Sequence, residues 1–209
     1  RPSSLPTRST AAHVYLGAIA HNVRGIRRKL GPGVKVMAVV KAQAYGHGLE
    51  AVARFLEPSL ADAFGVAFPE EGAALRASGI RKPILVFTLA APSQADLYVH
   101  HDLEATVCSL LEARFLNRAA VRGRTTIGVH LKLETGMNRI GVRPALLGSL
   151  LRGMARLRRL EIRGVFTHFA EADARDKSFT LRQLREFEDG LEILRQCGVQ
   201  AQEIHCANS

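Results

Sequence analysis

The sequence predicts an α/β protein built on a parallel sheet, and three observations carry the prediction. Short apolar strands alternate with amphipathic helices through the chain after residue 12. The first long strand, residues 36–40, is apolar at every position, as a strand covered on both faces must be. Residues that can do chemistry (Lys41, Lys132, Arg139, His168, Asn208) fall at or just beyond strand C-termini that are far apart in sequence. A doubly wound sheet satisfies the first two observations. The third favours a (β/α)8 TIM-type barrel, which gathers the C-terminal ends of all its strands at one mouth.

Taken in order, residues 13–16 read as a short strand. Leu16, Ile19, Val23, Ile26 and Leu30 recur at helical spacing, and Gly31-Pro32-Gly33 stops that helix. The strand at 36–40 and a small-residue turn lead to a helix at 49–56. A strand at 63–68 is followed by Pro69-Glu70-Glu71, with proline and acids suited to a first helical turn, and Gly79 ends that helix. Then come a strand at 83–87, a weak helix at 92–99, a strand at 104–107, a helix at 109–120 and a strand at 126–133. A loop at 134–143 precedes a leucine-rich helix at 144–157. A strand at 162–167, a loop at 168–177, a helix at 178–196 and a strand at 203–207 complete the order. About seven strand–helix units follow Val36, where barrel closure needs eight. The expectation is therefore a tail at 1–12 and a barrel domain at 13–209, truncated before its eighth strand and leaving two exposed sheet edges.

At 209 residues the chain can bury one sizeable core. No apolar run approaches the ~20 residues that span a bilayer. The first ten residues lack the apolar segment of a secretory signal. Cys108, Cys197 and Cys206 form no paired motif, which fits a reducing, cytoplasmic setting. The net charge of +10 comes mostly from arginine, with a denser patch at Arg152, Arg156, Arg158, Arg159 and Arg163. Nucleic-acid binding would call for stacking aromatics among these cations, and with 6% aromatic residues none is interleaved there. An arginine-rich solvated surface, or attraction for anionic small molecules, accounts for the charge instead.

Lys41 ends the all-apolar strand and enters a turn carrying Tyr45, Gly46, His47 and Gly48. A lysine can run its stem out of a strand end to keep its charge in water. Held out of water, its amine loses basicity and becomes a nucleophile toward carbonyls. His47, His130, His100 and His101 show no metal-ligand spacing and read as structural or surface residues, so no metal is expected.

Residues 36–48 closely resemble the pyridoxal-phosphate lysine signature of alanine racemases. Residues 129–142, 167–170 and 205–209 resemble further segments of that family in the same order, and 16–22 resemble its first helix. The resemblance implies a barrel that binds pyridoxal 5'-phosphate and interconverts L- and D-alanine, feeding D-alanine to peptidoglycan synthesis. Lys41 would carry the cofactor covalently and move the α-proton on one face. Tyr45 would hold the phosphate, and His168 would lie against the pyridine ring. Asn208 and Ser209 would sit near ring and phosphate, with His205 supporting from behind. Arg139 would touch the cofactor's phenolic oxygen and the substrate carboxylate. Lys132 would be carried carbamylated and orient Arg139; left unmodified, it would pair with Glu134.

Two departures from the family are mild: Gln43 stands where Asp or Asn is usual, and Glu134 where Asp is usual. The family also implies a homodimer, an arginine at the pyridine nitrogen from an eighth strand, and an opposing catalytic tyrosine from a β-rich domain. None of these last groups is in residues 1–209, so the polypeptide is expected to lack racemase activity alone. A non-catalytic pyridoxal-phosphate-binding barrel and a racemase for another amino acid, such as serine, are the alternatives.

Overall fold

The computed structural model describes residues 11–207. The expected tail through residue 10 and the site residues Asn208 and Ser209 lie outside the described residues. Seven strands form one sheet in sequential order, every neighbouring pair parallel. They are β1 (Met37–Val39), β2 (Ala63–Val66), β3 (Ile84–Leu89), β4 (Glu104–Val107), β5 (Ile127–Lys132), β6 (Leu160–His168) and β7 (Glu203–Ala207). Sequential parallel order requires a crossover after each strand, and the helices supply it. α1 (Leu16–Leu30) precedes β1, and the six crossovers are α3 (Leu49–Leu56), α4 (Pro69–Ala77), α5 (Ala95–His100) with a 3₁₀ turn before it, α6 (Leu110–Arg122), α7 (Pro144–Met154) and α8 (Ser178–Gln196). A short segment, α2 (Lys41–Gly46), has a different character described below.

The sheet is curled. Lys35, two residues before β1, donates from Nζ to Glu203 Oε1 on β7 at 3.0 Å, so the N-terminal ends of the first and last strands meet across 168 residues of sequence. The outer edges of β1 and β7 have no strand partner among the described residues, and Val39 and Ile204 are exposed there, 40% and 58%. Strands β2 and β4 are buried at every residue, as sheet covered on both faces requires. Residues 13–16 are not a strand: Leu16 opens α1, and the apolar pair Val14 and Tyr15 is exposed in the approach to it.

One half-buried cation fastens the outer layer to the sheet. Arg76, on α4, donates from Nε to His101 O (2.9 Å), from one terminal nitrogen to Ile80 O (3.0 Å) and Lys82 O (2.7 Å), and from the other to Asp102 O (2.8 Å). The planar guanidinium thus closes the α4–β3 and α5–β4 loops together.

Candidate active site

The C-terminal ends of the strands bring the cationic residues together. Lys41 follows β1, Lys132 is the last residue of β5, Arg139 lies in the loop after it, and His168 ends β6. The His168 ring is half-buried and its pKa is lowered by burial, then by the charges of Arg139, Lys132 and Lys41. Three cations from β1 and β5 therefore act on one ring from β6, which is the convergence a barrel mouth produces. Lys41 is half-buried, with its Nζ 5.9 Å from the centre of the exposed Tyr45 ring.

The segment that carries Lys41 is a left-handed helical turn, where the sequence suggested only a small-residue turn. Ala42, Gln43, Ala44 and Tyr45 have φ of 51°, 57°, 51° and 56°. Each L-residue there costs about 1–2 kcal/mol, so the turn costs on the order of 4–8 kcal/mol before its contacts are counted. The contacts are specific. Val40 N donates to Gly65 O (2.9 Å), Gly48 N to Gln43 O (2.7 Å), and Ala42 N to Glu71 Oε1 (2.7 Å). Ala42 is exposed and its Cβ is not needed for packing. Ala42→Gly is therefore expected to raise stability by about 0.5–1 kcal/mol, because the relief at positive φ exceeds the entropy that glycine adds to the unfolded chain. A chemical melt in which the variant is less stable than wild type would contradict this.

Lys132 is 4% exposed, and its pKa is lowered to about 8 by burial above all; Glu134 opposes the shift and Arg139 adds to it. Its Nζ stands 5.1 Å from the centre of the Phe166 ring. Glu134 works mainly on the backbone: its Oε1 accepts from Gly136 N (2.6 Å) and Asn138 N (2.9 Å). Burial pushes the Glu134 carboxyl up, but the amides of Asn138, Gly136 and Arg139 and the Lys132 charge leave it below the usual range. The Arg139 loop is thus wound round an anion. Gly141 closes it at φ 144°, where a Cβ would stand 2.7 Å from Glu134 N, so only glycine fits.

A buried polar chain supports His168 and the same loop. Gln183 of α8 accepts from Ala170 N (3.0 Å) and donates to His168 O (3.2 Å) and Thr135 Oγ1 (3.4 Å). Thr135 Oγ1 bonds Thr167 Oγ1 (2.8 Å), which donates to Leu133 O (3.1 Å). Nothing in the sequence singled out Gln183: a glutamine on an amphipathic helix carries no signal until its neighbours are known.

His205 and His130 lie deeper in the sheet. His130, 0% exposed, bonds Glu104 Oε2 through Nε2 (3.0 Å) and His205 Nε2 through Nδ1 (3.2 Å). His205 stacks on Phe166 with ring centres 4.8 Å apart, and its pKa is pulled down to about 4 by burial, then by His130 and Lys132. Ligand atoms of Glu104, His130 and Glu203 lie within 4.8 Å of one another. Cations already serve both carboxylates, Arg163 on Glu104 (2.9 Å) and Lys35 on Glu203 (3.0 Å), so the group reads as an ion-pair network. Arg163, read above as part of a basic surface patch, is instead engaged with Glu104 and Glu161.

A curled parallel β/α sheet with cationic residues gathered at its strand C-termini defines a barrel-class protein. The chain belongs to the alanine racemase N-terminal domain family, whose description, "Alanine racemase, N-terminal domain", it matches over residues 14–209. It is 40% identical over 203 residues to an alanine racemase of Halothermothrix orenii, covering 97% of this chain and 54% of that one. It is 42% identical to an alanine racemase of Symbiobacterium thermophilum over 97% of this chain and 53% of the relative. The crystal structure of alanine racemase from Bacillus anthracis with bound L-Ala-P superposes with a TM-score of 0.87 at 34% identity, covering 93% of this chain and 50% of that chain. Alanine racemase of Clostridium difficile in complex with cycloserine gives 0.85 at 31% identity, with 93% and 53% covered. The chain thus spans about half the length of the curated relatives it matches. Among the described residues no helix is long and apolar enough to cross a membrane.

Proposed function

We propose that the chain is the cofactor-binding barrel of a pyridoxal-phosphate-dependent alanine racemase, a cytoplasmic homodimeric enzyme supplying D-alanine for peptidoglycan. The observation that carries the proposal is the meeting of Lys41, Lys132, Arg139 and His168 at one mouth, felt in the lowered pKa of His168. The residues fit the cofactor. Three cations suit its phosphate and phenolate and the substrate carboxylate. A His168 held neutral suits contact with a flat aromatic ring.

When bound, the cofactor supplies an electron sink for the electrons left by removal of the α-proton. Lys41 would hold the cofactor and, once freed by substrate, would move the α-proton on one face through Nζ. Tyr45, beside Lys41, would hold the phosphate through its hydroxyl, a part that Asn208 and Ser209 would share. Arg139, in the loop that Glu134 winds, would fork toward the substrate carboxylate. His205 would support the ring from behind.

Lys132 has a further part. With a pKa of about 8, roughly a quarter of its amine is free base at pH 7.5, against about one in a thousand for an ordinary lysine. The free base adds to CO2 and releases one proton, giving a carbamate anion that faces Arg139 as a counter-charge. Racemisation needs an acid or base on each face of the α-carbon and Lys41 serves one, so this polypeptide alone is expected to show no racemisation.

The test is loading. Pyridoxal phosphate added to the chain is expected to give a visible absorbance band that borohydride trapping and peptide mass spectrometry assign to Lys41. Lys41→Ala should lose both. Wild-type protein that traps no cofactor on Lys41 would overturn the proposal.

A further inference from the structure

Glu71, from the neighbouring strand unit, reaches the residue after Lys41, and both of its oxygens are committed to backbone. Oε1 accepts from Ala42 N at 2.7 Å; Oε2 accepts from Ala67 N at 2.7 Å and Phe68 N at 3.2 Å. The last two amides form the junction between β2 and α4. One planar carboxylate therefore ties the first residue of the left-handed turn to the end of the adjacent strand. Lys41 is bracketed: Val40 N is held by Gly65 O of β2 on one side, and Ala42 N by Glu71 on the other. From the sequence, Glu71 is only an acid in the first turn of a helix, well placed against the helix dipole. The structure gives it a second use.

We propose that Glu71 is a positioning residue for Lys41, fixing the left-handed turn so that the amine is already placed for the cofactor. The inference rests on the reading of Lys41 as the cofactor lysine. A carboxylate is required because all three partners are N–H donors. A glutamine of the same size has only one accepting atom and would turn an N–H toward an N–H on the other side. Orientation set in advance is what raises the effective concentration of a reacting group, so a loose turn weakens capture even where the lysine remains.

A matched control exists in the same chain. Glu57 Oε1 accepts from Arg81 N (2.6 Å) and Lys82 N (3.0 Å), the same kind of backbone clamp at a different junction. Wild type, Glu71→Gln and Glu57→Gln are titrated with pyridoxal phosphate, and loading at Lys41 is read by borohydride trapping and peptide mass spectrometry. Hydrogen exchange of the Ala42 amide is read in the cofactor-free protein. Glu71→Gln should load at least tenfold more weakly, with the Ala42 amide exchanging at least tenfold faster. Glu57→Gln, which keeps the one oxygen that both amides use, should load as wild type does. Wild type that fails to load refutes the reading of Lys41. Wild type that loads, with folded Glu71→Gln loading within twofold of it, refutes the role of Glu71 alone. If Glu71→Gln does not fold, it is combined with Ala42→Gly and compared with Ala42→Gly by itself. Loading within twofold of that reference refutes the proposal, and a tenfold loss sustains it.

Discussion

Arg76→Ala is expected to lower the unfolding free energy by about 3 kcal/mol, among the largest losses any single surface-helix residue of this chain can cause. The side chain is only 15% exposed and donates to four carbonyls, those of His101, Ile80, Lys82 and Asp102. Alanine leaves four acceptors short of a donor in a partly buried loop crossing, each costing up to about 1 kcal/mol once water re-enters. For a chain of this size the loss corresponds to a fall in Tm of roughly 6–12 °C. Arg76→Lys should recover less than half of it, since one ammonium cannot span two loops as a planar fork does. The Asp102 carboxylate, 3.9 Å away and 90% exposed, adds little. Calorimetry of the two variants checks the ranking, and a lysine variant as stable as wild type would show that charge, not the fork, holds the loops.

The second large effect is a dependence of stability on pH. Lys132 is buried with its pKa lowered to about 8 from an ordinary 10.5. A base whose folded pKa is depressed binds fewer protons when folded, so stability is full above the unfolded value and falls as pH drops toward the folded one. In buffer free of CO2, unmodified Lys132 should therefore make the protein less stable at pH 8 than at pH 10.5, by on the order of 2–3 kcal/mol. Below pH 8 this contribution stays flat. Lys132→Met removes the buried cation and should be more stable than wild type near neutral pH, with the slope between pH 8 and 10.5 gone. Bicarbonate should stabilise wild type and leave Lys132→Met unchanged, with a mass increment of one CO2 on the wild-type peptide. Denaturant melts across that pH range decide it: equal slopes in the two proteins would mean that the amine is solvated.

Much of the architecture was legible because hydrophobic periodicity is a local property. The helices at Leu49–Leu56 and Ser178–Gln196 and the strands at Glu104–Val107 and Glu203–Ala207 stand where the pattern puts them. Boundaries moved where packing overrode pattern. β6 starts at Leu160, two residues before the apolar run, because pairing with β5 begins at Ile127↔Leu160. The strand expected at 63–68 stops at Val66, because the Ala67 and Phe68 amides are claimed by Glu71.

In the candidate site, the gathering of Lys41, Lys132, Arg139 and His168 at strand ends was legible from residue type and strand position. The residues that hold them were not. Glu71 and Gln183 act through backbone groups 13 to 29 residues away, Thr135 through the Thr167 hydroxyl 32 residues away, and Glu134 through amides of its own loop, and none of these partnerships exists until the chain is folded. The basic patch shows the reverse error: Arg163 sits among arginines in sequence but pairs with Glu104, 59 residues away.

The left-handed turn bears on how the chain acquires its shape. Four consecutive L-residues in that basin cost on the order of 4–8 kcal/mol, so in the unfolded chain the full turn has a population of roughly one in a thousand to one in a million. Local sequence cannot seed it. The segment at Lys41–Gly46 must therefore consolidate after β2 and the start of α4 have come together and presented Gly65 O and the Glu71 carboxylate. A lysine placed by such a segment has no reactive arrangement in partly folded or nascent chains. Its readiness appears late, together with the packed sheet.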